Sequence, residues 1–156
     1  MQPIRTFIVD DEPLSRERIR ALLEPQPDVQ IVGEFGDGRQ ALAAMQSSRP
    51  DLLFLDVQMP ELDGFQLLQA MHSVNDSGRM PVIVFVTAYD QYALRAFEVH
   101  ALDYLLKPFD DDRFHEALER ARRQIHLSGA SQGDAGRDTG NFGRRFLSLV
   151  HELQAR

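Results

Sequence analysis

Residues 51–65 read DLLFLDVQMPELDGF. The run Leu52-Leu53-Phe54-Leu55 is apolar at every position, a pattern that strands adopt when helices cover them on both faces. It ends on the carboxylate of Asp56, with Pro60 four residues on and Gly64 beyond it. A strand cap and a reactive group held at a sheet edge are both compatible with that ending. Similar β-branched or apolar runs recur at 6–9, 29–32, 82–86 and 102–106, each followed by a stretch with helical spacing. Five strands alternating with helices predict an α/β fold with a buried parallel sheet.

The intervening stripes are expected to face the core. They comprise Leu14, Ile19, Leu22 and Leu23 in the first helix, and Phe114, Ala117, Leu118, Ala121 and Ile125 in the last. Helix starts are signalled by Pro13 in a first turn, by Asp37, and by Asp63 with Gln66 three residues on, a capping box. Asp110 to Asp112 place negative charge where the dipole of the last helix favours it. Pro60 and Gly64 are expected to shape the loop after Asp56 through a fixed and a permissive φ.

With 156 residues, 43% hydrophobic and ten Phe, the chain has the material for one core. The folded domain is expected to end near Leu127. Residues 128–143, SGASQGDAGRDTGNFG, have linker composition. Residues 144–156 carry Phe146, Leu149, Val150 and Leu153 at the spacing of a short amphipathic helix. There is no cysteine, so thiolate chemistry and disulfides are excluded. The net charge of −7 argues against a grip on nucleic acid phosphates by these residues. From 108 onward arginines and acidic residues balance at eight each, so no basic tail changes this. No apolar run approaches the roughly 20 residues of a membrane span, and no basic-plus-apolar leader is visible. A soluble, cytoplasmic protein with no membrane partner is expected.

In an open parallel sheet, ligands bind outside the carboxyl ends of the strands. Strand one ends in Asp10-Asp11-Glu12, strand three in Asp56, strand four in Thr87 and strand five in Lys107-Pro108. Carboxylates brought together repel, and at least one would bind a proton unless a cation offsets them. An all-oxygen donor set with no His or Cys nearby suits Mg²⁺. His72, His100, His115, His126 and His151 show no ligand spacing. A carboxylate beside Mg²⁺, a hydroxyl and a lysine is a set of parts for phosphoryl transfer onto that carboxylate.

IVDDEP, LFLDVQMPELDGF, VFVTAYD and DYLLKPF, in this order and spacing, resemble the receiver domain of bacterial two-component response regulators. The resemblance covers about residues 4–127. It implies a doubly wound, flavodoxin-like (βα)5 fold with strand order 2-1-3-4-5. Asp56 would be the phosphoacceptor, served by a sensor histidine kinase; the protein would catalyse only its own phosphorylation and dephosphorylation. Asp11, Asp56 and the backbone carbonyl of Gln58 would ligate Mg²⁺, with Asp10 acting through a water. Thr87 and Lys107 would bind phosphoryl oxygens, Tyr104 would be the switch aromatic, and the Lys107–Pro108 bond would be cis. Tyr89 and Gln58 would flank the phosphoryl group and shield it from water.

The stretch VTAYDQYALRAFEVHALDYLLKPF is similar to receivers of LytTR-type regulators, of the LytR/AlgR family. Those carry a C-terminal LytTR DNA-binding domain after a linker, so DNA contact and transcriptional control would belong to that domain. An excised receiver and a stand-alone form both fit the chain's length, and the former is expected. The face of helix four, strand five and helix five would mediate homodimerisation, with Arg95, Phe97, Asp103 and Arg113 as contacts.

Plainer readings stand beside these. Asp10, Asp11 and Glu12 could cap the first helix, with Glu12 leaning that way. Thr87 could be an ordinary strand residue, Lys107 a solvated one and Tyr104 plain packing. A haloacid-dehalogenase-like phosphatase also uses a strand-end Asp, Mg²⁺ and Lys, but it wants an Asp-x-Asp pattern that Asp10-Asp11-Glu12 lacks. A never-phosphorylated scaffold would have no need of Lys107 and three strand-end acids.

Overall fold

The computed structural model describes residues 2–74 and 80–130. Five parallel strands, β1 (Ile4–Val9), β2 (Val29–Phe35), β3 (Leu52–Leu55), β4 (Val82–Thr87) and β5 (Asp103–Leu106), form one sheet of order β2-β1-β3-β4-β5. The helices are α1 (Pro13–Leu23), α2 (Gly38–Met45), α3 (Gly64–Val74), α4 (Ala93–Glu98) and α5 (Asp111–Ala130), and a 3-10 turn, Asp90–Tyr92, precedes α4. This is the doubly wound, flavodoxin-like fold that the resemblance implied, and it contains the parallel sheet expected from the alternating pattern. Helix α5 continues three residues past Leu127. The rest of the expected linker and the expected helix at 144–156 lie outside the described residues.

The β3 run LLFL divides its side chains between two cores. Leu53 and Leu55 face α2, α3 and α4 beside Phe7, Phe85, Leu67 and Ala96. Leu52 and Phe54 face α1 and α5, where Phe54 stacks on Phe114 at 5.3 Å. All four are at most 1% exposed, which is why the central strand shows no polar alternation. The edge strand β2 is only partly buried. Most helical stripes face the core as expected, but Leu14 is 78% exposed on the first turn of α1. Leu14 precedes the buried Ile19 and Leu23 by five and nine residues, which at about 100° per residue puts it on the opposite side of the helix.

Asp37 accepts a hydrogen bond from the Gln40 amide at 2.8 Å, and Asp63 and Gln66 form the reciprocal capping box at 2.8 and 2.9 Å. The Asp110 side chain caps α5 through the Arg113 amide at 2.7 Å. Glu12 occupies the N-cap position of α1 without a side-chain cap, so the capping role expected for it is not made. Asp103, expected as a partner contact, is 1% exposed and paired with Arg113 at 2.6 Å and Arg120 at 2.8 Å. As the first residue of β5 it lies beneath α5, so those arginines cover it.

Among the described residues no helix is long and apolar enough to cross a membrane. Leu53 is fully enclosed between the two helical layers, and truncating such a leucine leaves a cavity that rigid neighbours cannot close. Leu53→Ala should cost about 2–5 kcal/mol, read in urea unfolding as a lower midpoint at unchanged slope.

Candidate functional site

The ladder extends one residue past three of the strands, and this extension places the polar groups. The Asp10 amide donates to the Phe35 carbonyl of β2 at 3.0 Å, Asp56 to the Val9 carbonyl of β1 at 2.9 Å, and Lys107 to the Thr87 carbonyl of β4 at 2.7 Å. Each side chain is thus fixed by the strand beside its own. The carboxylates of Asp10, Asp11 and Asp56 converge, with one oxygen of each lying within 4.8 Å of the others. Asp10 and Asp56 are buried and Asp11 is exposed.

Lys107 spans this cluster. Its Nζ donates to Asp10 Oδ2 at 2.8 Å and to Asp56 Oδ2 at 3.4 Å, and lies 3.7 Å from Glu12 Oε2. Glu12 therefore contributes charge to the site in place of a cap. Backbone amides complete the carboxylates: Glu12 N–H donates to Asp10 Oδ1 at 2.9 Å and Gln58 N–H to Asp56 Oδ1 at 3.3 Å. Burial, and next the negative charge of Asp10, push the Asp56 carboxyl up to about 6, against the pull of Lys107 and the Gln58 amide. Burial by itself would push the Lys107 ammonium down, but the Asp10 hydrogen bond and the charges of Asp56, Asp10 and Glu12 hold it above the ordinary lysine value.

Thr87 ends β4 fully buried, with Oγ1 accepting from the Tyr89 amide at 3.4 Å. Tyr104 lies in β5 opposite Phe85, 1% exposed, and its hydroxyl donates to the Tyr89 carbonyl. Burial pushes its phenol up. The Lys107–Pro108 bond is cis, as the resemblance implied. In the loop after Asp56 the positive φ, 69°, belongs to Glu61 and not to Gly64. Gly64 is required for another reason: a Cβ there would lie 2.5 Å from the Asp56 carbonyl oxygen.

Two neighbours were not visible in the sequence. Tyr92 accepts from Gln58 Nε2 at 2.9 Å, joining the β3–α3 loop to the turn before α4. It borders a cavity of about 420 Å³ that also reaches Asp11, Met59 and Arg95. Arg18 of α1 grips the loop after Lys107 through the Phe109 carbonyl at 2.7 Å. Neither tyrosine nor arginine carries a local pattern that announces a contact made 34 or 91 residues away. Of the expected dimer contacts, Arg95 stands over the Phe65 ring at 4.2 Å and Phe97 packs partly buried against the core.

The carboxyl of Asp56 is about 6 in the fold against an ordinary 3.8. Its protonated form is favoured by folding, so its contribution to stability is fully present below about 4 and lost as pH rises through about 6. Without metal, Asp56→Asn should therefore stabilise the protein at pH 8, by of the order of 2–3 kcal/mol, and give little at pH 4. Urea unfolding in EDTA at the two pH values measures it.

The response regulator receiver domain family matches residues 6–119. The transcriptional regulatory protein BtsR of Salmonella typhi is 47% identical over 121 residues, covering 78% of this chain and 49% of BtsR. The sensory transduction protein LytT of Bacillus cereus is 44% identical, covering 78% of this chain and 48% of LytT. The chain thus spans about half the length of these relatives. The response regulatory domain of protein mrkE from Klebsiella pneumoniae superposes with a TM-score of 0.72 at 34% identity, covering 79% of this chain and 98% of that domain. The REC domain of AraT, a response regulator from Geobacillus stearothermophilus, gives 0.71 at 30% identity, covering 80% and 97%. A sheet of order β2-β1-β3-β4-β5 whose edge gathers three aspartates, two of them paired with one lysine, matched over residues 6–119, makes this chain a member of the response regulator receiver domain family.

Proposed function

We propose that Asp56 accepts a phosphoryl group from a sensor histidine kinase and that the resulting charge switches an output. The observation that carries this reading is the pairing of two buried carboxylates with a single ammonium, Lys107, between Asp10 and Asp56. In the transfer, an Asp56 carboxylate oxygen attacks phosphorus, a P–O bond forms, and the bond from phosphorus to the kinase histidine nitrogen breaks. Lys107 makes only a long contact to Asp56, so its Nζ is free to follow a phosphoryl oxygen without leaving Asp10. The Thr87 hydroxyl is the second donor to that group.

Three converging carboxylates, two of them paired with one ammonium, form a donor set with negative charge to spare, which fits a hard divalent cation. Asp11, Asp56 and the Gln58 carbonyl would hold Mg²⁺, with Asp10 in an outer position. When bound, it would neutralise charge on the transferring phosphoryl group. The phosphoryl replaces the single charge of the Asp56 carboxylate with the roughly two of an acyl phosphate, a net gain of about one negative charge. Thr87 would move toward it, carrying the Tyr89 backbone to which Tyr104 is bonded. That coupling would bias the face of α4, β5 and α5, the expected homodimer surface. DNA contact would belong to a further domain of the LytTR type, a reading supported by relatives twice as long, one of them named a transcriptional regulator.

With acetyl phosphate and Mg²⁺, intact mass should show uptake of one phosphoryl group. EDTA or Asp56→Asn should abolish it, and equal uptake in the variant would overturn the assignment. Turnover of a phosphate ester would instead favour the phosphatase. Tyr89 is 41% exposed and packs edge-on against Tyr92, which borders the cavity that reaches Asp11. Tyr89→Ala should therefore shorten the lifetime of the phosphorylated form several-fold, followed by loss of the added mass after the donor is removed.

A further inference from the structure

Lys107 is the one lysine in a chain with sixteen arginines. Its loop, from β5 to α5, is anchored at one end by its own amide on the Thr87 carbonyl. The other end is anchored by α1. Arg18 Nη2 donates to the Phe109 carbonyl at 2.7 Å, and its guanidinium lies 5.0 Å from the centre of the Phe109 ring. The same Nη2 pairs with Asp111 at 3.1 Å, in the first turn of α5. Phe109 in turn stacks on Phe114 of the α5 core face. Two residues before Arg18, Arg16 Nη1 donates to the Asp10 carbonyl. One turn of α1 therefore holds the backbone on both sides of the carboxylate cluster.

We propose that Arg18 is a positioning residue for Lys107. By gripping the Phe109 carbonyl and ring it sets the loop so that Nζ reaches Asp10 and Asp56 together. The grip is directional where a lysine's would not be: the planar fork offers a donor to the carbonyl and a face to the ring at once. The Asp111 pair is exposed, with side chains 45% and 65% accessible, and contributes little to the placement. The importance of the placement rests on the phosphoacceptor reading above, but the placement itself can be measured without it.

Because the chain has one lysine, acylation by an amine-directed ester reports on Lys107 Nζ alone, with the N-terminal amine as internal reference. The experiment is run on metal-free protein and read by peptide mass. In Arg18→Ala and Arg18→Met, labelling of Lys107 should rise several-fold as Nζ leaves its buried carboxylates. In Asp111→Asn it should stay at the parent rate. The Met variant keeps an apolar cover on Phe109, so it decides the matter if the Ala variant unfolds. Parent-rate labelling in Arg18→Met overturns the proposal, as does an equal rise in Asp111→Asn, which would assign the placement to the ion pair. Phosphoryl uptake by Arg18→Met should be slower than that of the parent. Absence of uptake in the parent would sink the phosphoacceptor reading and leave the labelling result standing.

Discussion

The site depends on one ammonium held between two buried carboxylates. Asp10 and Asp56 sit on adjacent strand ends, and their mutual repulsion together with burial would drive one of them to bind a proton. Lys107 offsets that repulsion from the far edge of the sheet, and the offset is partial, because Asp56 is still pushed up to about 6. The protein thus keeps an edge with more negative charge than its own cation neutralises. Such an edge is poised for a divalent cation or a phosphoryl group arriving with one.

Holding that edge together is a matter of backbone rigidity. Asp10, Asp56 and Lys107 each donate a final ladder bond to the neighbouring strand, which fixes the backbone of each, while the loop beyond Lys107 bears on where its Nζ reaches. The strands are in turn fixed by two cores, one under α2, α3 and α4 and one under α1 and α5. Gly64 shows how tightly the next loop is drawn in, since even a methyl group would meet the Asp56 carbonyl. The turn carrying Tyr89 and Tyr92 is tied to that loop by the Gln58 side-chain amide, which donates to the Tyr92 hydroxyl at 2.9 Å.

The strand pattern, the capping residues and the four groups at strand ends were legible in the sequence because each is a local or strictly periodic signal. LLFL announced a strand covered on both sides, and Asp37 and Asp63 with Gln66 announced helix starts that the structure contains. Leu14 was expected in the core stripe of α1, but it stands on the opposite side of the helix from the buried Ile19 and Leu23 and is exposed. Asp103 looked like a surface acid and is instead buried under two arginines of α5. Gly64 was read for its torsion, and its need is steric.

The sequence by itself determined the fold class and the identity of the polar edge, because the apolar runs alternate with helical stretches and four of the five run out on a polar residue. Only the tertiary structure decided which of those polar groups meet and how strongly. The 2.8 Å bond from Lys107 to Asp10 spans 97 residues, and the grip of Arg18 on Phe109 spans 91. Contacts of that separation have no period and no local motif; they exist because a parallel sheet brings remote strand ends to one edge, where distance and burial set the chemistry.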